Sequence, residues 1–191
     1  MTIGELSGCV LVSGMPGAGK STVTALAARL LPRAARIKAD DVNEMILSGR
    51  VGFRGEPADE ALRQEELCNR NVCSLANNFI DFGFTVLIDR IVPTPARLDI
   101  LVGLLAPRPV RLVTLVPGIE VCQQRNATRE PDERFEFDGY HQLEADMLRE
   151  LGGVGWWFDT SALTPEETAE QLVAGLRGQG SVVHDVLHDE R

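Results

Sequence analysis

The chain has 191 residues, 44% hydrophobic and 25% charged, proportions that suit one globular domain with a buried core and exclude a disordered chain. Nineteen Lys and Arg against 28 Asp and Glu leave a net charge of −9, which repels a phosphate backbone and makes nucleic acid a poor partner. No apolar run reaches the ~18 to 20 residues of a membrane span, and the MTIGELSG start lacks the basic and apolar stretches of a signal peptide, so a cytoplasmic location without a membrane partner is expected.

Apolar runs of strand length alternate with segments of helical period, the pattern of a parallel sheet covered by helices on both faces, and the expected class is α/β. Strands are predicted over 8–13, 36–39, 84–89, 110–116 and 156–159. Helices are predicted over 19–31, 41–48, 59–82, 95–105, 119–128, 137–151 and 165–176, the last opened by a capping box of Thr164 and Glu167. Pro32, Gly49, Gly83, Pro107 and Gly152 punctuate their ends. With no repeat and no interdomain linker, one domain is expected over 1–177, followed by a tail, 178–191, prone to fray. Cys9, Cys68, Cys73 and Cys122 lack paired CxxC spacing and nearby histidines, so reduced, mostly buried thiols are expected rather than a zinc site or disulfides.

The first strand runs into Gly14, Met15, Pro16, Gly17, Ala18, Gly19, Lys20 and Ser21, which match GxxxxGK[ST] between a strand and a helix. In that context the backbone N–H groups of the turn and the positive end of the helix receive a polyphosphate. Lys20 is then expected to bridge the outer phosphates and the Ser21 hydroxyl to ligate magnesium. The second strand ends in KADD, with Asp40 as its last residue and Asp41 as the helix N-cap. At the carboxyl end of a parallel strand Asp40 can point at an acceptor hydroxyl as general base, although both aspartates also suit helix caps.

A long excursion over 43–82 follows, where an acceptor pocket is expected. Its glycine-rich loop carries Phe53 and Arg54, an apolar and a cationic contact for an acceptor, or a plain surface loop with Phe53 tucked inward. Arg63, Glu66 and Asn69 on the next helix are further candidates. The strand FTVLID ends in Asp89, the placement of a magnesium carboxylate and also of an ordinary turn former or helix cap. Arg90 follows at the mouth of the crevice, where it holds substrate or transferred phosphate, or simply faces solvent.

After the fourth strand, RNATREPDER forms a short helix and a polar, proline-broken loop. Such a segment can close over ATP, with Arg125 and Arg129 better placed than Arg134 to offset phosphate charge, or its arginines and acids can pair with each other. Trp156 and Trp157 are expected to pack, and His141 to be structural or exposed. His184 and His188 have helical metal-ligand spacing in the tail, a weak metal signal.

The length leaves no room for the additional elements of an oligomeric motor, and the guanine-reading NKxD tetrad is absent. A small kinase is the class that remains. The motifs GMPGAGKST, KADD, VLIDR, RNATRE and WWFDTSALTPEET fall in the order seen in small P-loop kinases and phosphotransferases. From Cys9 to about Leu176 the chain resembles that family, which includes chloramphenicol phosphotransferase and is akin to shikimate, gluconate and polynucleotide kinases and zeta toxins. The resemblance implies a three-layer P-loop NTPase fold with a five-stranded parallel sheet of nucleoside monophosphate kinase type. It also implies that the carboxylate matching Asp40 acts as base, that Lys20 grips phosphate and that Thr22 belongs to the same phosphate loop. Arg125 and Arg129 would lie in a lid over about 125–137, and the loop of Asp159, Thr160 and Ser161 would run past adenine. Asn43 stands where related polynucleotide kinases and zeta toxins carry Arg, and no gluconate kinase signature is apparent.

The activity expected is therefore ATP- and magnesium-dependent phosphoryl transfer to a hydroxyl of a small molecule, an antibiotic or a metabolite, by a monomer or homodimer. Catalysis is assigned to Asp40, Lys20 and Arg129, metal binding to Ser21 and Asp89, and acceptor contacts to Asp40, Arg54 and Arg90. The alternatives are a nucleoside or polynucleotide 5′-hydroxyl kinase and a non-catalytic nucleotide-binding switch.

Overall fold

A computed structural model of the chain describes residues 8–52, 55–129, 134 and 136–176. Five strands, β1 (Cys9–Gly14), β2 (Ala34–Lys38), β3 (Thr85–Asp89), β4 (Val110–Leu115) and β5 (Trp156–Phe158), form one sheet in the order β2-β3-β1-β4-β5. Every neighbouring pair is parallel. The helices are α1 (Lys20–Leu30), α2 (Ala39–Glu44), α3 (Ala58–Asp81), α4 (Pro95–Leu105), α5 (Ile119–Ala127), α6 (Tyr140–Leu151) and α7 (Pro165–Leu176).

The strands bury both faces, which is why they read as continuous apolar runs. Period-two alternation divides each strand between two cores. Cys9 and Leu11 of β1, Val86 and Ile88 of β3 and Val110 and Leu112 of β4 pack with α3 and α4 on one side. Val10, Val12, Leu87, Val113 and Leu115 pack with α1 and α7 on the other. All four cysteines are free and buried, as expected for reduced thiols. Burial pushes the Cys9 thiol up beyond its ordinary range, with Cys73 beside it adding to the shift. Among the described residues no helix is long and apolar enough to cross a membrane.

Several predicted boundaries move. The first turn of α2 starts at Ala39, so Asp40 is not the last residue of the strand and Asp41 is not the N-cap; both lie inside the first turn, after Lys38 in the cap position. The helix stops at Glu44 rather than at 48, and the chain beyond it is held from α3 instead. Gln64 donates to Gly49 O at 2.8 Å and accepts from the Val51 N–H at 2.8 Å. The helix expected from 137 starts at Tyr140, because Gly139 takes the cap position while the Phe137 ring packs edge-on against Tyr140 at 4.9 Å. The predicted cap of α7 is present: Thr164 Oγ1 accepts from the Glu167 N–H at 3.2 Å, and Glu167 Oε2 accepts from the Thr164 N–H at 2.9 Å. Trp156 stacks on Phe158 at 4.5 Å, Trp157 Nε1 donates to Leu151 O at 3.0 Å, and His141 is exposed. The tail with His184 and His188, and the loop residues Phe53 and Arg54, lie outside the described residues.

Candidate active site

Because the sheet is parallel throughout, Gly14 of β1, Lys38 of β2, Asp89 of β3 and Leu115 of β4 end at the same edge. The connections from β1 to β2 and from β3 to β4 leave toward opposite sides of β1. That edge is where open α/β sheets place their ligands. The phosphate loop turns there on glycines with positive φ: Gly14 at 140°, Gly17 at 82° and Gly19 at 94°. A Cβ at Gly17 would stand 2.5 Å from Cys122 O, and one at Gly14 would stand 2.6 Å from Leu115 O, so neither position has room for a side chain. The loop closes with Ala18 N donating to Met15 O at 3.1 Å. Met15, Gly17 and Ala18 are buried, Pro16 is half-buried and Thr22 is exposed on the first turn of α1.

Lys20 opens α1 and curls back over the loop, its Nζ donating to Gly14 O and Met15 O at 3.0 Å each. Burial holds its ammonium pKa below the ordinary lysine range and Arg129 pushes it the same way, while Asp89 and Asp40 act in the opposite sense. Next to Lys20 the Ser21 hydroxyl donates to Asp89 Oδ2 at 2.5 Å. Asp89 is 5% exposed. A hydroxyl and a carboxylate are hard oxygen donors, and magnesium, which keeps several waters, is usually held by one or two carboxylates together with substrate phosphates. Ser21 and Asp89 fit that donor set. Among the described residues no three His, Cys, Asp or Glu side chains converge as a separate metal cage.

Arg36, which carries no motif signal in the sequence, completes this cluster. Its Nε donates to Thr24 Oγ1 at 3.1 Å and its guanidinium lies 3.6 Å from Asp89 Oδ2. Thr24 in turn donates to Lys20 O at 2.8 Å, so β2, α1 and β3 are tied together beneath the loop. Two residues on, Lys38 Nζ bonds Asp41 Oδ1 at 2.5 Å. That bond raises the Lys38 pKa and occupies Asp41, while Asp40 stands exposed beside it. Arg36 and Lys38 share a strand face by alternation, which a sequence shows; that the face meets Asp89 is long-range and has no local signal.

Arg90 is not free at the crevice mouth. Its guanidinium lies 3.5 Å from Glu65 Oε1 of α3, and Arg97 of α4 contacts the same carboxylate oxygen. Arg90 NH1 also donates to Cys68 Sγ at 3.4 Å, and that thiol bonds Ala39 O at 3.5 Å. On the other side of the loop Arg125 of α5 donates to Ala18 O at 3.1 Å. Arg129 is exposed just past α5, its carbonyl accepting from Arg134 Nε at 2.9 Å. Thr160 is 2% exposed and its Oγ1 has no partner among the described residues, in a turn where Asp159 Oδ1 accepts from the Ser161 N–H at 2.9 Å.

Comparison with solved structures finds the same architecture in two kinases and a resistance protein. The chain is similar to a sugar kinase from Janibacter sp. HTCC2649, with a TM-score of 0.66 and 22% identity over 93% of this chain and 98% of that one. It is also similar to the tunicamycin resistance protein of Deinococcus radiodurans, at 0.65 and 18% over 89% and 95%. A third likeness is to shikimate kinase from Acinetobacter baumannii in complex with shikimate, at 0.61 and 20% over 88% and 92%. These likenesses establish the P-loop NTPase α/β fold. A search of curated proteins finds no match. The AAA domain family matches residues 9–151, a stretch that runs from β1 through the phosphate loop and Asp89 to the end of α6, and the chain belongs to that family.

Proposed function

We propose that the protein is a phosphotransferase that moves the γ-phosphate of ATP to a hydroxyl of a small molecule. The observation that carries this reading is that the Lys20 ammonium and the Ser21–Asp89 pair meet on one loop at the sheet edge where α2 begins with the exposed Asp40 in its first turn. A nucleotide-binding switch has no need of the exposed carboxylate at this place; an acceptor hydroxyl does. The net charge of −9 favours a small acceptor over a nucleic acid.

In the proposed reaction the acceptor oxygen attacks the γ-phosphorus, the bond to the bridging β-phosphate oxygen breaks, ADP leaves, and the hydroxyl proton passes to the Asp40 carboxylate. Lys20 exchanges its two loop carbonyls for outer phosphate oxygens. Arg125 and Arg129, on the segment expected as a lid, offset charge that develops on the leaving and moving groups. Thr160 is assigned to the nucleotide and Arg90 to the acceptor; Arg54, also assigned to the acceptor from the sequence, lies outside the described residues. Ser21 and Asp89 would hold magnesium, which when bound would supply further charge neutralisation. Because such transfer depends on positioning and electrostatics, these residues suffice in kind for the chemistry.

The test is a screen of ADP formation from ATP and magnesium against hydroxylated antibiotics, sugars and nucleosides. Acceptor-dependent ADP release with one class, and a phosphorylated product by mass spectrometry, is the expected result. Uniformly slow hydrolysis across the whole panel would overturn the reading in favour of a switch.

A further inference from the structure

We propose that the acceptor carries an anionic group, a carboxylate or a phosphate, held by the guanidinium pair of Arg90 and Arg97 that shares the single carboxylate of Glu65. The inference rests on the phosphotransferase reading and deepens it by giving the acceptor its chemical class. Among the described residues Glu65 is the one carboxylate within 4.0 Å of either arginine. Two cations on one anion leave a surplus positive charge. The side chains of Arg90, Glu65 and Arg97 are 15%, 16% and 29% exposed, so that charge is only partly solvated. A poorly hydrated surplus cation is unfavourable until an anion meets it, and the guanidinium fork matches carboxylate and phosphate oxygens.

The place of the pair is what makes it an acceptor contact. Arg90 directly follows Asp89, which bonds the phosphate-loop Ser21. Its NH1 lies 3.4 Å from Cys68 Sγ, which reaches Ala39 O, the residue before Asp40, at 3.5 Å. An anion on this pair is therefore within a small molecule's length of the proposed base. Arg97 sits in the first turn of α4, where Thr94 caps the helix and the aligned peptide dipoles add positive potential. The Glu65 carboxylate of α3 joins the segment after β3 to α4 through these two arginines.

The experiment compares matched acceptors: glycerate and glycerol 3-phosphate against glycerol, and a six-carbon aldonate against its alditol. Each is assayed for turnover and, without ATP, for binding by thermal shift and calorimetry. The expected result is an acid-over-neutral ratio in kcat/KM of about tenfold or more, falling toward one in Arg97→Gln. Glu65→Gln, which frees the pair from its internal anion, is expected to tighten acid binding; a merely structural salt bridge would loosen it. Preference for glycerate or for glycerol 3-phosphate tells carboxylate from phosphate. Equal use of acid and neutral partners overturns the inference, as does weaker acid binding in Glu65→Gln. Acid-selective binding lost in Arg97→Gln, with no turnover of any acceptor, supports the anion site and overturns the kinase reading instead. No turnover together with no acid-selective binding overturns both. Should Arg97→Gln fail to fold, the wild-type ratios and Glu65→Gln still decide.

Discussion

The Ser21 hydroxyl and the Asp89 carboxylate, 68 residues apart in sequence, lie 2.5 Å apart at the sheet edge. This pair unites the first turn of α1 with the end of β3 and presents two hard oxygens beside the phosphate loop. If it holds magnesium, Asp89→Asn removes the charge while keeping the shape. Nucleotide affinity in magnesium is expected to fall by roughly 10- to 100-fold, toward the value measured in EDTA. Calorimetric titration with ADP, with and without the cation, reads this directly, and an undiminished magnesium effect would remove Asp89 from the ligand set.

Arg36 gives Asp89 its nearest cation at 3.6 Å. Arg36→Gln leaves a nearly buried carboxylate without it and takes a donor from Thr24. A loss of about 1–3 kcal/mol at neutral pH is expected. Magnesium should restore part of that loss, because a divalent cation at the carboxylate replaces the missing charge. The thermal shift on adding magnesium without nucleotide is therefore expected to be larger in the variant than in the wild type. An equal shift in both would show that Arg36 does not act through Asp89.

Asp40→Asn tests the base. The residue is exposed in the first turn of α2 and its neighbour Asp41 is occupied by Lys38, so the substitution removes a proton acceptor with little disturbance of packing. A drop in kcat of roughly 10²- to 10⁴-fold is expected, with nucleotide affinity nearly unchanged. Near-normal turnover in the variant would dismiss Asp40 from that role.

Gly17→Ala places a methyl group 2.5 Å from Cys122 O at a φ of 82°. Backbone strain and the clash together are expected to cost about 1–3 kcal/mol of stability. Since the loop must shift to relieve them, nucleotide affinity should fall as well. Preserved affinity in a folded variant would mean that the loop tolerates a different path.

The α7 cap makes a pH-dependent contribution. Bonds from the Thr164 N–H and hydroxyl hold the Glu167 carboxyl pKa below its ordinary value. A depressed carboxyl pKa means that the folded chain binds fewer protons than the unfolded one, so this stabilisation is present above the unfolded value and disappears as pH falls through the lower folded value. Thr164→Ala removes the hydroxyl bonds of the cap and keeps the main-chain one, at a cost of about 1 kcal/mol, or roughly 2–4 °C in Tm at neutral pH. The gap between wild type and variant should narrow on acidification below the ordinary glutamate range. A gap that stays constant would show that the Thr164 hydroxyl does not act through the Glu167 carboxylate.

The helix ends show how far local signals reach. Thr164 with Glu167 specifies the start of α7 through bonds spanning three residues, and the observed cap has the expected form. Asp40 and Asp41 misled because an aspartate serves a cap and a first helical turn about equally well. Here Lys38 pairs with Asp41 across the strand end, and the helix starts at Ala39, two residues earlier than expected. Arg90 could be placed at the end of a strand but not beside Glu65, since α3 supplies the carboxylate from an excursion whose path depends on packing against α4 and the sheet.

Strand and helix periodicity, the glycines of the phosphate loop and the order of the motifs all lie in contiguous sequence, because backbone conformation and amphipathic patterning are set within a few residues. From these alone came the α/β class, the parallel sheet and the loop around Lys20. Which side chains meet was decided by the fold. Arg36 against Asp89, Glu65 between two arginines and Cys122 behind Gly17 depend on how two cores close over the two faces of one sheet. Electrostatic pairing acts over a few ångströms of space, and sequence separation carries no measure of that distance.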